Sequence, residues 1–152
     1  MRTAIFVGSF DPFTIGHDDI ARRALALVDR LVIGVGVNER KACSRTAEER
    51  IGAIQQLYAD EPRIEVVGYS DLTTSFAKRV GAQFVVKGVR SVKDFEYERE
   101  QAEINRRLTG LETILLCAQP HLASISSSLV RELEHFGQDV KEFLPLKVKS
   151  EE

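Results

Sequence analysis

"TAIFVGSFDPFTIGH", residues 3–17, runs an apolar segment straight into a turn of Gly, Ser, Asp and Pro and then into a helical pattern. The apolar part predicts a first strand over Ala4–Gly8. Beyond the turn, Ile20, Ala21, Ala24, Leu25 and Val28 recur at helical spacing, which predicts a helix across Asp18–Asp29. Gly8 at the strand end lets a bound group approach the backbone, and Pro12 stiffens the turn. Gly16-His17 then opens the helix, where unpaired N–H groups and the helix dipole favour an anion. A histidine near a helix start is usually a surface capping residue. Here it could instead donate a hydrogen bond to a phosphoryl oxygen.

The same grammar repeats outward from this unit. "LVIGVGV" (Leu31–Val37), "IEVVG" (Ile64–Gly68), "QFVVKG" (Gln83–Gly88) and "ETILLC" (Glu112–Cys117) read as four further strands. Most are unbroken apolar runs, as expected of strands covered on both faces. Helices are predicted between and after them. Thr46-Ala47-Glu48-Glu49 is a capping box. Ser70 or Asp71 is the expected cap of a helix ending at Val80, and Ser91–Leu108 forms a long charged helix. Ser126–Phe136 follows, and "DVKEFLP" adds a last turn. Alternation of this kind implies an α/β, Rossmann-like doubly wound domain: a five-stranded parallel sheet flanked by helices. Ligands of such folds bind beyond the carboxyl ends of the strands. The segments there, residues 8–17, 38–45, 70–74, 87–90 and 119–128, gather polar and cationic side chains.

Composition narrows the function classes. The 152 residues are the length of one domain, read here as residues 1–152 with a solvated tail from about residue 147. A net charge of -2 argues against a general nucleic-acid or membrane surface but leaves room for a local cationic pocket. Cys43 and Cys117 form no CxxC pair and read as free thiols of a reducing compartment. The N-terminal apolar run is too short for a signal-peptide core or a membrane span, so a cytoplasmic protein is expected. Gly34 and Gly36 form a GxG inside the second strand, with Glu39 where a dinucleotide fingerprint needs its third glycine. No GxxxxGK[ST] sequence occurs.

"TIGH" is similar to the (H/T)xGH signature of the nucleotidyltransferase superfamily. "GSFDPFTIGH", together with "GVRSVKDFEYE", "ISSSLVRE" and "EER" with its upstream Lys41, resembles the bacterial phosphopantetheine adenylyltransferase family. The resemblance spans residues 3–145 and implies transfer of AMP from ATP to 4'-phosphopantetheine, yielding dephospho-coenzyme A and pyrophosphate in coenzyme A biosynthesis. It implies contacts of Ser9 and Phe10 with the ligands, and His17 as transition-state stabiliser at the α-phosphate. It further implies that Lys41 is a second catalytic residue, holding the acceptor phosphate beside the Ser9 hydroxyl and bridging it to ATP, with Thr73 and Lys87 lining the pantetheine site. The ATP-binding positions it implies are Ser9, Phe10, His17, Gly88, Val89, Arg90, Glu98 and Leu122–Ser128, the last run comprising Leu122, Ala123, Ser124, Ile125, Ser126, Ser127 and Ser128. Lys87 and Leu122 depart from the family's usual Arg and aromatic residue. Magnesium as cofactor, a homohexamer and feedback binding of coenzyme A are implied too, with no residue identified as a metal ligand.

Ordinary structural roles compete with some of these assignments. Glu98 sits in a helix where Glu96 with Arg99 and Glu103 with Arg107 have the spacing of surface pairs, and one serine of 126–128 would suffice for N-capping. Other small-molecule nucleotidyltransferases (glycerol-phosphate, NMN or FMN type) share the TxGH logic, and a non-catalytic nucleotide-binding module would need no transition-state donor.

Overall fold

The strands of the computed structural model, which describes residues 1–38 and 40–146, form one parallel sheet. They are β1 (Thr3–Gly8), β2 (Arg30–Gly36), β3 (Ile64–Tyr69), β4 (Phe84–Val89) and β5 (Glu112–Cys117), in the order β3-β2-β1-β4-β5. Each expected strand is present, with ends displaced by a residue at most. The expected solvated tail from residue 147 lies outside the described residues. No helix among the described residues is long and apolar enough to cross a membrane.

Alternate side chains of the strands feed two cores, as a pleated sheet covered on both faces requires. Ala4 and Phe6 of β1 join Leu31, Ile33 and Val35 of β2 beneath α1 (Ile15–Ala24) and α2 (Ala47–Leu57). Ile5, Val7, Val32 and Val85 face the other way, onto Phe76 and Ala77 of α3 (Thr73–Val80). The long α4 (Val92–Thr109) lies on β4, β5 and α3 yet contains no buried residue. A short 3-10 turn at Pro120–Leu122 leads to α5 (Ser127–His135), and a second closes the fold at Lys141–Phe143.

Helix starts depart from the sequence expectation in two places. The first helix begins at Ile15, because Thr14 caps it, and it ends at Ala24. Neither Ser70 nor Asp71 caps α3: Leu72 occupies the N-cap without a side-chain bond, and Asp71 instead accepts from Arg79. The Thr46–Glu49 capping box forms as expected, and Ser91 and Ser126 cap α4 and α5.

The first glycine of the GxG in β2 serves packing. Phe76 stacks on Tyr69 with ring centroids 4.5 Å apart, and a methyl group at Gly34 would lie 2.5 Å from Phe76 Cε2. Gly34→Ala should therefore overpack this core, destabilising by roughly 1–3 kcal/mol. Calorimetry should then show a lower Tm, by about 2–4 °C per kcal/mol for a domain of this size. An unchanged Tm would mean that the Phe76 ring shifts at no cost.

Candidate active site

The strand order reverses between β1 and β4, and the loops leaving these two neighbours diverge to opposite sides. A cleft of about 340 Å³ opens there, walled by the turn after β1, the end of β4 and the start of α5. Its polar side chains include Ser9, His17, Lys41, Lys87, Arg90 and Arg131. Cations outnumber the carboxylates, Asp11 and Glu98, that reach the wall. Such a cleft suits a polyanion.

His17 is both a cap and a cleft residue. Its backbone N–H donates to Thr14 Oγ1 at 3.3 Å, and its Nδ1 accepts the Thr14 N–H at 2.9 Å. The reciprocal pair is a capping box in which imidazole takes the place of the usual Glu or Gln. Because Nδ1 accepts, the neutral ring carries its proton on Nε2. No protein acceptor among the described residues takes that proton, so it is free for a ligand. Phe10 stands edge-on to the imidazole at 5.0 Å and Phe13 lies beside it at 5.3 Å. Burial among these rings, with the positive charge of Arg90, pulls the His17 pKa down to about 4.

The turn between β1 and α1 is pinned from two directions. Arg50 of α2 is buried and donates from Nη1 to the carbonyls of Ser9 at 2.7 Å and Gly36 at 3.1 Å, and from Nε to Arg45 O at 3.2 Å. These bonds hold Phe10 at a left-handed φ of 51°, with its ring in the core. Asp11 is buried as well, its carboxylate accepting from Ser44 and Arg45. Burial alone would push the Asp11 carboxyl up. The Ser44 and Arg45 N–H groups, the Ser44 hydroxyl and the charge of Arg131 outweigh it and hold the group below its ordinary value. In the loop after β2, Lys41 Nζ donates to Ser9 Oγ at 2.6 Å.

Across the cleft each serine of the α5 start has its own task. Ser126 caps the helix by accepting from Leu129 N–H, Ser127 Oγ donates to Pro12 O at 2.7 Å, and Ser128 Oγ accepts from Arg131 Nη2. First-turn amides have no intrahelical partner, so those of Ser127 and Ser128 stand ready for an anion. On the β4 side Lys87 Nζ lies 3.4 Å from Glu98 Oε1, an ion pair that makes no hydrogen bond. Arg90 pairs with Asp94 through its side chain at 3.6 Å.

Comparison with known proteins accords with this geometry. Residues 5–133 match the family described as cytidylyltransferase-like. A phosphopantetheine adenylyltransferase of Phocaeicola vulgatus is 54% identical over 145 residues, covering 95% of this chain and 96% of its own. The enzymes of that name from Bacteroides fragilis and Leuconostoc citreum are 52% and 45% identical, each over 95% of this chain and over 97% and 92% of theirs. The chain belongs to the phosphopantetheine adenylyltransferase family. At the level of the fold it is similar to a putative nicotinate-nucleotide adenylyltransferase of Vibrio parahaemolyticus, with TM-score 0.69 and 16% identity over 96% of this chain and 95% of that one. It is also similar to a bifunctional NMN adenylyltransferase/ADP ribose pyrophosphatase of Francisella tularensis, with TM-score 0.71 and 15% identity over 94% of this chain and 44% of that one.

Most positions suggested by the family resemblance meet in one place. Ser9, Phe10, His17, Lys41, Lys87, Gly88, Arg90, Glu98, Leu122, Ile125 and Ser126–Ser128 all line the cleft. Thr73 does not: it starts α3 beyond β3, at the sheet edge. Val89 is buried behind the wall, and Ala123 and Ser124 stand outside it. Glu103 pairs with Arg106 and Arg107, whereas the expected Glu96–Arg99 pair does not form. Residue-type reasoning gave no role to Thr14, Asp11, Arg50 or Arg131. For Arg50 there was a signal, since it lies four residues before the buried Ile54 and so on the inward face of α2.

The burial of His17 has a measurable signature. In an NMR titration its ring should stay neutral, protonated at Nε2, until the pH approaches about 4. Because the folded pKa lies below the unfolded value of 6.5, the unfolded chain binds more protons across that interval. Stability should therefore fall as pH drops from 6.5 towards 4, with a shallower slope in His17→Ala. Titration of His17 near 6.5 would contradict the burial argument.

Proposed function

We propose that this cleft transfers the adenylyl group of ATP to 4'-phosphopantetheine, giving dephospho-coenzyme A and pyrophosphate, a late step of coenzyme A biosynthesis. The observation that carries the reading is His17, its Nδ1 taken by Thr14 and its Nε2–H free, in one cleft with Ser9, Lys41, the α5 N-terminus and Arg131. The identity to enzymes of that name over nearly the whole chain supports the choice of acceptor.

The chemistry asks little of a base. A phosphate monoester has a second pKa near ~6, so the acceptor oxygen is already largely anionic at neutral pH. That oxygen attacks the α-phosphorus in line, forming the new P–O bond as the bond to the bridging oxygen breaks, and pyrophosphate leaves. The chain brings two polyanions together and meets the growing charge with fixed donors. The Nε2–H of His17 donates to an α-phosphate oxygen, and the amides of Ser127 and Ser128 with Arg131 take the β- and γ-phosphates. Lys41 and Ser9 hold the acceptor phosphate, with Lys87 on the pantetheine side. Gly88, Arg90, Glu98, Leu122 and Ile125 line the nucleotide pocket.

Magnesium enters as the counter-ion of ATP, held by phosphate oxygens and water. The donor set does not make a resident metal site: Asp11 is turned to Ser44 and Arg45, Glu98 is paired with Lys87, and no cluster of three metal-ligating side chains exists among the described residues. Coenzyme A, which contains both halves of the product, is the expected feedback ligand of the same cleft. A cytoplasmic enzyme fits the two unpaired cysteines.

Pyrophosphate release from magnesium ATP should require 4'-phosphopantetheine, fail with glycerol phosphate or NMN, and stop on chelation of magnesium. His17→Ala should lower turnover by about 10²–10³-fold with ATP affinity changed only a few-fold. Release with a different acceptor would overturn the substrate, and an affinity loss without a rate loss would favour a binding module.

A homohexamer is part of the same proposal. The apolar side chains of Val92, Phe95, Tyr97, Ile104 and Leu108 on α4 are exposed, and no residue of β5 is buried. This uncovered flank suits a copy of the chain. Sedimentation equilibrium should give a species of six 17.0 kDa chains, and a monomer at micromolar concentration would refute the assembly.

A further inference from the structure

We propose that the Asp11 carboxylate is a positioning residue for the acceptor side of the reaction, holding the loop that carries Lys41 over Ser9. The main-chain carbonyl of the same residue serves the ATP side. This division of labour within one residue rests on the function proposed above.

An anion in the wall of a cleft built for phosphates is costly unless its charge is used elsewhere. Asp11 is only 2% exposed, and every oxygen of the residue has a partner. Oδ2 accepts from Ser44 N–H at 2.8 Å and from Ser44 Oγ at 3.2 Å, and Oδ1 accepts from Arg45 N–H at 3.1 Å. The Arg45 guanidinium lies 3.8 Å from Oδ1. All of these donors belong to the loop after β2. The carbonyl of Asp11 accepts from Arg131 Nη1 at 2.8 Å, and next to it the carbonyl of Pro12 accepts from Ser127 Oγ. Both of those donors belong to α5.

The loop needs such a tether. The stretch Arg40-Lys41-Ala42-Cys43-Ser44 buries no side chain fully. Apart from the bonds to Asp11, it is tied by local bonds to Asn38 and by the bond from Lys41 to Ser9. Beyond it, Arg45 O accepts from Arg50 Nε and the Arg45 guanidinium pairs with Glu134. Without the carboxylate, the main chain at Ser44 loses its anchor, the Lys41 ammonium is left with Ser9 alone to fix it, and a misplaced charge at the reacting phosphate costs rate steeply.

Asn at position 11 offers one acceptor oxygen where Asp offers two, so either the Ser44 or the Arg45 N–H loses its partner. In Asp11→Asn, kcat/KM for 4'-phosphopantetheine should fall at least about tenfold, with the ATP Kd measured without acceptor staying within about threefold. Ser44→Ala, which removes only the hydroxyl bond from an exposed loop residue, should shift the acceptor parameters in the same direction by less. Amide exchange at Ser44 and Arg45 should quicken in Asp11→Asn while the first turn of α5 keeps its protection. An equal loss of ATP affinity, or no change on the acceptor side, would overturn the proposal. If the wild-type chain fails to use 4'-phosphopantetheine, the functional reading falls. Amide exchange then decides the tether by itself, with unchanged rates at Ser44 and Arg45 counting against it.

Discussion

The reciprocal bond between Thr14 and His17 is the constraint on which the site depends. It satisfies the free N–H groups at the start of α1, fixes the imidazole in one orientation and places its proton on Nε2. One local interaction thus starts a helix and supplies a directed donor. Capping and donating are not rival roles for this histidine: the bond that engages Nδ1 is what leaves the Nε2–H free.

Around that cap the fold works by close approach. Gly88 allows α1 to lie against β4, since a methyl group there would come 3.0 Å from Ile20 Cγ1. Arg50, Asp11, Ser127 and Arg131 then fasten the turn between β1 and α1 to α2, to the loop after β2 and to α5. Two stretches distant from it in sequence, residues 44–50 and the start of α5, therefore meet at one short turn. Preorganisation of this kind lets fixed donors act without reorganising as charge develops.

The strands were legible because a sheet covered on both faces leaves unbroken apolar runs such as Leu31–Ile33 and Phe84–Val86. The Thr46–Glu49 capping box was legible because its two halves lie three residues apart. The start of α1 was misjudged because its cap pairs Thr14 with a histidine in place of Glu or Gln. Residues 70 and 71 carried the composition of a cap, but Arg79 engages Asp71 from eight residues away. Tethers such as Asp11 to Ser44 and Arg131 to Asp11 join residues 33 and 120 positions apart and leave no period in the sequence. The family resemblance located most of the cleft, whereas the placement of Thr73 beyond β3 needed the sheet order.

Arg50 carries a consequence of its own. Its partners are three carbonyl oxygens, and no carboxylate lies within ion-pair distance of it among the described residues. Carbonyl dipoles solvate the guanidinium but do not cancel its charge. A full positive charge therefore sits permanently beneath the Ser9 turn, shielded from mobile salt and never displaced by whatever enters the cleft. A polyanion approaching the cleft would meet that field before it touched a side chain, so the buried arginine lends attraction as well as shape to the turn.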